Sequence, residues 1–342
     1  MEKVGIVILN WNGVKWLDKF LPTLVENSLP HDVIVIDNAS TDDSVTLLKE
    51  KFPSVIYVIN EKNYGYSGGY NAGLQQLRGA YDYYILINSD VEVTKDWIAP
   101  LLQITKEKNN VFAVQPKVLS FDKKDYFEYA GAAGGFVDKN FYPFCRGRIF
   151  STLEKDQQHY DNTKQVFWAS GACMLVNAKA FHALNGFDND FFAHMEEIDL
   201  CWRAQRAGFT NWCCSKSVVY HVGGGTLAYN HPNKTFLNFR NSLYMIHKNY
   251  EGFLFPKIVK RLFLDGIAGI KFLLELKFNH FFAILRAHWC YYKNIKTLRK
   301  KRKEINTINK TTLVGVFQGS ILYNYFIKKN KQFVDINKRK FS

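Results

Sequence analysis

The chain has 342 residues, 47% of them hydrophobic, enough apolar material for a sizeable core in one large domain or two medium ones. Its six cysteines, Cys145, Cys173, Cys201, Cys213, Cys214 and Cys290, form no Cys-x-x-Cys pair, which argues against a zinc knuckle or a disulfide framework and for a reducing compartment. Of the net charge of +14, a net +12 falls in residues 293–342, where fourteen Lys/Arg face only Glu304 and Asp335; no helix-turn-helix, zinc-finger or aromatic RNA-binding signature accompanies them, so the expected partner is an anionic membrane surface and not nucleic acid.

In chain order, apolar runs predict strands over 4–10, 33–37, 55–59 and 83–87, alternating with helices over about 14–28, 41–52 and 68–78, the pattern of parallel βαβ units. No charged head, apolar segment and cleavage site precede the first strand, so a cytoplasmic catalytic part is expected. Three of the strands end in polar tips: Asn10-Trp11-Asn12-Gly13, Asp37-Asn38-Ala39-Ser40-Thr41-Asp42 and Asn88-Ser89-Asp90. Open α/β sheets bind nucleotides at such an edge. Asp37 can accept the imide N–H of uracil or thymine, and Asn10, Asn12 and Asn38 can reach base or ribose; alternatively Asp37 caps the next helix, a task open also to Ser40 or Thr41. Asn63 to Gly73 contains four glycines, and Ser67-Gly68-Gly69 at a helix start would let backbone amides approach a nucleotide sugar, with Asn71 hydrogen-bonding to it. Further strands are predicted over about 111–115, 172–177 and 217–221. Glu196-Glu197-Ile198-Asp199 opens an amphipathic helix in which Asp199 and Arg203 have ion-pair spacing.

From Phe253 the chain reads as long helices that mix Phe, Leu and Ile with Lys and Arg, and no uncharged run reaches the roughly 20 residues of a transmembrane helix. Residues 311–327 lack charge but carry Gln318, Ser320 and Asn324, so an interfacial or re-entrant segment is expected rather than a crossing, and the basic tail looks removable without harm to the site.

Asn10-Trp11-Asn12, the Asp37–Asp42 segment, Asn60 to Gly73, Asn88-Ser89-Asp90, Ser170-Gly171-Ala172, Gly186-Phe187-Asp188, Glu196 to Leu200 and His221 resemble, in order, the family 2 glycosyltransferases, within them most closely the rhamnosyltransferase-type branch of cell-surface polysaccharide synthesis. The resemblance implies a GT-A fold, a nucleotide-binding mixed α/β sheet flanked by helices: a catalytic domain over 1–250 (nucleotide half 1–90, metal and acceptor half 91–250) and a helical, basic, membrane-associated extension over 251–342. It implies that Asn88-Ser89-Asp90 stands where the family has Asp-x-Asp. Asp90, with His221, would then hold Mg²⁺ or Mn²⁺ against the donor diphosphate, beside Ser89. The family's general base falls on Glu197, with Glu196 and Asp199 as neighbouring candidates, and Trp168, Ser170, Gly171 and Asp188 line the acceptor side. The expected donor is a UDP- or dTDP-sugar, and the expected acceptor a glycan or polyprenyl-diphosphate-linked saccharide at the inner face of the cell membrane. A noncatalytic nucleotide-sugar-binding scaffold of the same fold is the alternative, suggested by Asn88 and by glutamate at position 197.

Overall fold

The computed structural model describes residues 2–223, 231–305 and 312–342. The first part holds β1 (Val4–Asn10), α1 (Val14–Asn27), β2 (Asp32–Asp37), α2 (Ser44–Lys51), β3 (Ile56–Ile59), α3 (Gly65–Gln76), β4 (Tyr83–Ile87), β5 (Val91–Val93), α4 (Ile98–Glu107) and β6 (Val111–Ser120). Four short strands follow, β7 (Gly135–Asp138), β8 (Pro143–Cys145), β9 (Arg148–Ile149) and β10 (Thr152–Leu153), then β11 (Lys164–Val166), β12 (Cys173–Asn177), α5 (Ala178–Ala183), α6 (Glu196–Arg206) and β13 (Thr210–His221). Beyond them come α7 (Pro232–Asn249), α8 (Leu254–Leu274), α9 (Phe278–Ile305) and β14 (Val316–Phe317).

The main sheet runs β11-β13-β6-β12-β4-β1-β2-β3, with β5 added beside β13. Strands β3, β2, β1 and β4 are parallel, and β12 joins β4 antiparallel. Apolar clusters cover both faces of this sheet, which is why β1, β2 and β4 are near-continuous Val/Ile/Leu runs rather than alternating ones. At the edge, β3 leaves Ile56, Tyr57 and Ile59 exposed. The predicted strands at 111–115 and 217–221 are parts of longer ones, β6 and β13, which pair with each other in parallel. Helix α2 starts at Ser44 and not near 41, because Asp42 accepts from the Ser44 and Val14 backbone N–H groups and holds the preceding turn open.

A second sheet, β10-β9-β8-β7-β14, is completed by the chain's last part. Val316 pairs with Val137 and Phe317 with Asp138; Asp138 accepts from the Ile321 N–H at 2.9 Å and Glu154 from the Phe333 N–H at 2.8 Å. Phe317, Ile321, Phe333 and Ile336 are buried in the same core as Phe136 and Phe144. This corrects two expectations. Residues 312–327 are not a re-entrant segment, since Val316, Phe317 and Ile321 sit in the second sheet and its core while Tyr323, Phe326 and Ile327 stay exposed, and 312–342 does not continue the helices of 254–305 but completes that sheet. Thr311, where the charge-free run begins, lies outside the described residues. Four buried side chains at about 2 kcal/mol each rival the roughly 5–15 kcal/mol that stabilises a whole domain, so the tail is not dispensable.

Candidate active site

Parallel pairing sets Asn10 opposite Asp37 at the C-terminal ends of β1 and β2. Asp37 is 1% exposed; its Oδ2 accepts from Asn10 Nδ2 at 3.0 Å and its Oδ1 from the Ser40 N–H at 2.8 Å. Asn38, also buried, donates to Asn63 Oδ1 and Gly65 O and accepts from Asn60 Nδ2. Asn12 stays at the surface with φ of 49°, accepting from the Thr41 N–H at 2.7 Å, beside the half-exposed Trp11. The edge is therefore a buried polar floor of Asn10, Asp37 and Asn38 topped by an exposed amide and indole, chemistry that suits a flat heterocycle with a polar rim.

Antiparallel pairing of β13 with β5 places His221 opposite Val91 and returns its ring to Asp90. His221 Nε2 lies 3.1 Å from Asp90 Oδ1 and 3.3 Å from the Asn88 amide, and Nδ1 lies 3.0 Å from Glu128 Oε2. Burial disfavours the charged ring, but the two carboxylates outweigh it and raise its pKa to about 10. A ring with a carboxylate on each nitrogen is satisfied as an imidazolium, or by giving Nδ1–H to Glu128, which would leave the other nitrogen and Asp90 able to hold a cation. Asp90 and His221 thus fit a divalent cation. Among the described residues no group of three or more His, Cys, Asp and Glu forms a metal site. Ser89 meets the first tip, its Oγ 3.8 Å from where a side chain on Gly13 would begin.

The loop entering α6 holds Phe192, His194 and Met195 at φ of 63°, 69° and 72°, conformations that cost non-glycine residues roughly 1–3 kcal/mol each. Asn241 of α7 secures it, with Nδ2 within 2.7–3.0 Å of the Phe191, Ala193 and His194 carbonyls. The loop delivers Glu196 and Glu197 to the first turn of α6, where the helix dipole favours anions. Burial pushes the Glu197 pKa up to about 7, against backbone N–H bonds and the Arg148 charge that lower it, and its Oε2 has no hydrogen-bond partner. Glu196 is pushed well above the carboxylate range by burial and by the charges of Glu197 and Asp199. Of the two, Glu197 is the acid whose proton affinity suits a general base near neutrality.

Gly171 bridges this turn to the other tips. A side chain there would begin 3.0 Å from Tyr66 Oη and 3.8 Å from Glu197 Cβ, and the next carbonyl, Ala172 O, accepts from the Asn88 N–H at 3.0 Å.

Several expected ligand contacts are instead committed to the protein. Asp199 is fully buried and bound by Arg203 Nε at 2.9 Å, Lys248 Nζ at 3.0 Å and Asn249 Nδ2 at 2.7 Å, so it anchors α6 to α7 and is not available as a base. Asp188 is held by Lys248 and Lys301, which keep its carboxyl well below the usual range despite burial, so it fixes the loop and does not face an acceptor. Trp168 is buried, its Nε1 donating to Phe136 O at 3.1 Å, and Ser170, fully buried, bonds Ala130 O and accepts from the Ala172 N–H. Gly68 and Gly69 lie inside α3 and are buried. A side chain at Gly69 would begin 2.9 Å from Leu9 Cδ1 and from Asn38 Nδ2, so the glycine serves close helix-on-sheet packing. Asn63 closes the turn into Gly65, and Asn71 pins the Phe187 backbone and Asn189. Sequence reasoning missed Glu128, Arg148 and Tyr66, which reach the site from the segment between β6 and β7, from β9 and from α3. Trp11 belongs to the first polar tip, where an aromatic directly after a strand is the signal the sequence offers.

Residues 5–184 match the model of the family described as "Glycosyl transferase family 2", more than half of the chain. The chain belongs to glycosyl transferase family 2. Within the family it is similar to the N-acetylglucosaminyl-diphospho-decaprenol L-rhamnosyltransferase of Mycobacterium tuberculosis, 26% identical over 66% of this chain and 78% of that one. It is also similar to the rhamnosyltransferase WbbL of Escherichia coli, 24% identical over 60% of this chain and 78% of that one. Solved structures agree on the GT-A fold. GalNAc-T7 with UDP, GalNAc and Mn²⁺ superposes with a TM-score of 0.61 at 15% identity, covering 96% of this chain and 57% of that longer one. The mannosyltransferase PcManGT of Pyrobaculum calidifontis with GDP-Man and Mn²⁺ gives 0.51 at 12% identity, over 89% and 85%.

Proposed function

We propose that this family 2 glycosyltransferase is an inverting enzyme that moves a sugar from a UDP- or dTDP-sugar, dTDP-rhamnose being favoured by its relatives' names, to a hydroxyl of a glycan or a polyprenyl-diphosphate-linked saccharide. It works in cell-surface polysaccharide synthesis, peripherally at the inner face of the membrane. The observation that carries this reading is Glu197: a carboxylate with one unpartnered oxygen and a pKa near 7, beside Gly171 and linked through Ala172 to the tip bearing Asp90.

Glu197 takes the proton of the acceptor hydroxyl as that oxygen attacks the anomeric carbon from the face opposite the leaving group. The bond from the anomeric carbon to the diphosphate oxygen breaks, and its electron pair leaves with the nucleoside diphosphate. Asp90 and His221 would hold a divalent cation, which when bound supplies positive charge to the departing diphosphate. Asn10, Asn12, Asp37, Asn38 and Trp11 form the nucleoside end of the cleft. Positioning and electrostatics provide most of the acceleration, since no covalent intermediate is required.

The test is nucleoside diphosphate release from UDP-, dTDP- and GDP-sugars with lipid-diphosphate saccharide acceptors, with and without Mg²⁺ or Mn²⁺, and with the product's anomeric configuration read by NMR. Cation-dependent release with inversion supports the reading. Nucleotide-sugar binding without release from any acceptor would instead make the protein a noncatalytic scaffold, the outcome that Asn88 favours.

A further inference from the structure

Helix α8 is built inside out. Its buried stripe, Ile258, Arg261, Asp265 and Gly269, contains an ion pair: Arg261 Nε donates to Asp265 Oδ1 at 2.7 Å, and Arg261 Nη1 donates to Ser242 Oγ of α7 at 2.6 Å. Its exposed stripe is apolar: Phe255, Val259, Phe263, Ile267, Ile270 and Leu274, at spacings of three and four, are 48–80% exposed. After the three-residue connection 275–277, in which Leu276 is 75% exposed, α9 continues the exposed stripe with Phe278, Phe282, Leu285 and Trp289, 48–62% exposed, although its buried side, Ala283, Ile284, Ala287 and Tyr291, is apolar too. A helix in contact with water keeps most large apolar side chains inward; two adjacent helices that expose a continuous stripe of them present one apolar face far beyond the scattered exposed residues of an ordinary surface.

Charge decides what covers this face. Lys260, Lys271 and Lys293 lie on the same two helices and Lys277 in the turn between them, and between Gly252 and Lys303 the only acids are the buried Asp265 and the exposed Glu275, which pairs with Lys271 and Lys277. A second copy would bring the same cations against these. Among the described residues no helix is long and apolar enough to cross a bilayer. We infer that the α8–α9 hairpin is an interfacial insertion surface: its Phe, Ile, Leu and Trp side chains enter the acyl boundary of an anionic bilayer while the flanking lysines meet lipid phosphates. This locates membrane contact in residues 253–293 and not in the basic tail. It rests on the proposed function only for the purpose of docking, which is to bring a lipid-linked acceptor to the site.

Flotation of the full-length protein with phosphatidylglycerol-containing vesicles, without donor or acceptor, tests it. Phe263→Ser combined with Trp289→Ser alters only exposed positions, so the circular dichroism spectrum and Tm should not change, while partitioning onto anionic vesicles falls at least tenfold. Replacing Lys338, Arg339 and Lys340 by Gln should lower it less than threefold, and neutral phosphatidylcholine vesicles should bind the native protein weakly. Unchanged flotation of the double variant, a loss confined to the tail variant, or a native dimer that the double variant turns into a monomer would each overturn the inference. Flotation without sugar transfer would sink the enzymatic reading and leave this one standing; transfer without flotation would do the opposite.

Discussion

Glu128 accepts from His221 Nδ1 at 3.0 Å, from 93 residues earlier in the chain, and so decides which imidazole nitrogen is free to face Asp90. A carboxylate behind a metal-binding histidine fixes the tautomer and raises the ring's basicity, and its loss commonly lowers metal affinity 10–100-fold. Glu128→Gln should therefore weaken Mn²⁺ binding about tenfold, read by EPR titration of the free ion in the absence of substrates. An unchanged titration would remove His221 from the cation site.

Replacing the proposed base with its amide keeps its shape and abolishes its proton affinity. Glu197→Gln should lower transfer by about 10²–10⁴ while nucleotide binding, measured calorimetrically, changes little. Should the variant stay active, the role moves to Glu196.

The pH dependence has a definite sign. Glu197 must be ionised to act, so kcat/KM should rise with pH through an apparent value near 7 that belongs to the Glu196–Glu197 pair. Stability runs the other way. Both carboxyls bind protons more tightly when folded, so their contribution is fully present below the unfolded carboxylate pKa of about 4.5 and is lost as pH rises, through about 7 for Glu197 and through its own raised pKa for Glu196. Urea midpoints at pH 5 and 8 for native protein and Glu196→Gln should show the native loss reduced in the variant.

Lys248, almost wholly buried, neutralises both Asp188 and Asp199. Lys248→Met leaves two buried carboxylates short of a partner and should cost about 3–5 kcal/mol in chemical denaturation. A cost under about 1 kcal/mol would mean that Lys301, Arg203 and Asn249 suffice alone.

Removing residues 312–342 strips β7 of one of its two partner strands and empties the space filled by Phe317, Ile321, Phe333 and Ile336. The truncated protein should be insoluble or lack a cooperative thermal transition. A soluble product with the native near-ultraviolet spectrum would show that the second sheet stands without β14.

Strands β1, β2 and β4 are legible because burial on both faces writes an uninterrupted apolar run, and the polar residues that follow each run mark the C-terminal edge of the sheet. Strands β7 to β10 and β14 are not: two to four residues carry no period, and their pairing is decided by partners far along the chain. Polar loop residues mislead for a related reason. Asp188 and Asn71 read as ligand groups while Lys248, Lys301 and the Phe187 backbone, their actual partners, lie beyond any local pattern. The exposed stripes of α8 and α9 are visible as apolar periodicity, but periodicity alone does not say which face of a helix turns inward; the ion pair of Arg261 and Asp265 does.

The pairing of β14 with β7 also sets a clock on synthesis. Asp138 waits for the Ile321 N–H across 183 residues, about 10–40 s of translation at the usual 5–20 residues per second, and through that interval β7 is an open strand edge on the ribosome. A nascent chain stalled before residue 316 therefore presents β7 paired only with β8, one edge open, and uncovered Phe136 and Phe144, a ready client for chaperones, whereas synthesis of residues 312–342 closes that edge and withdraws that surface in one step.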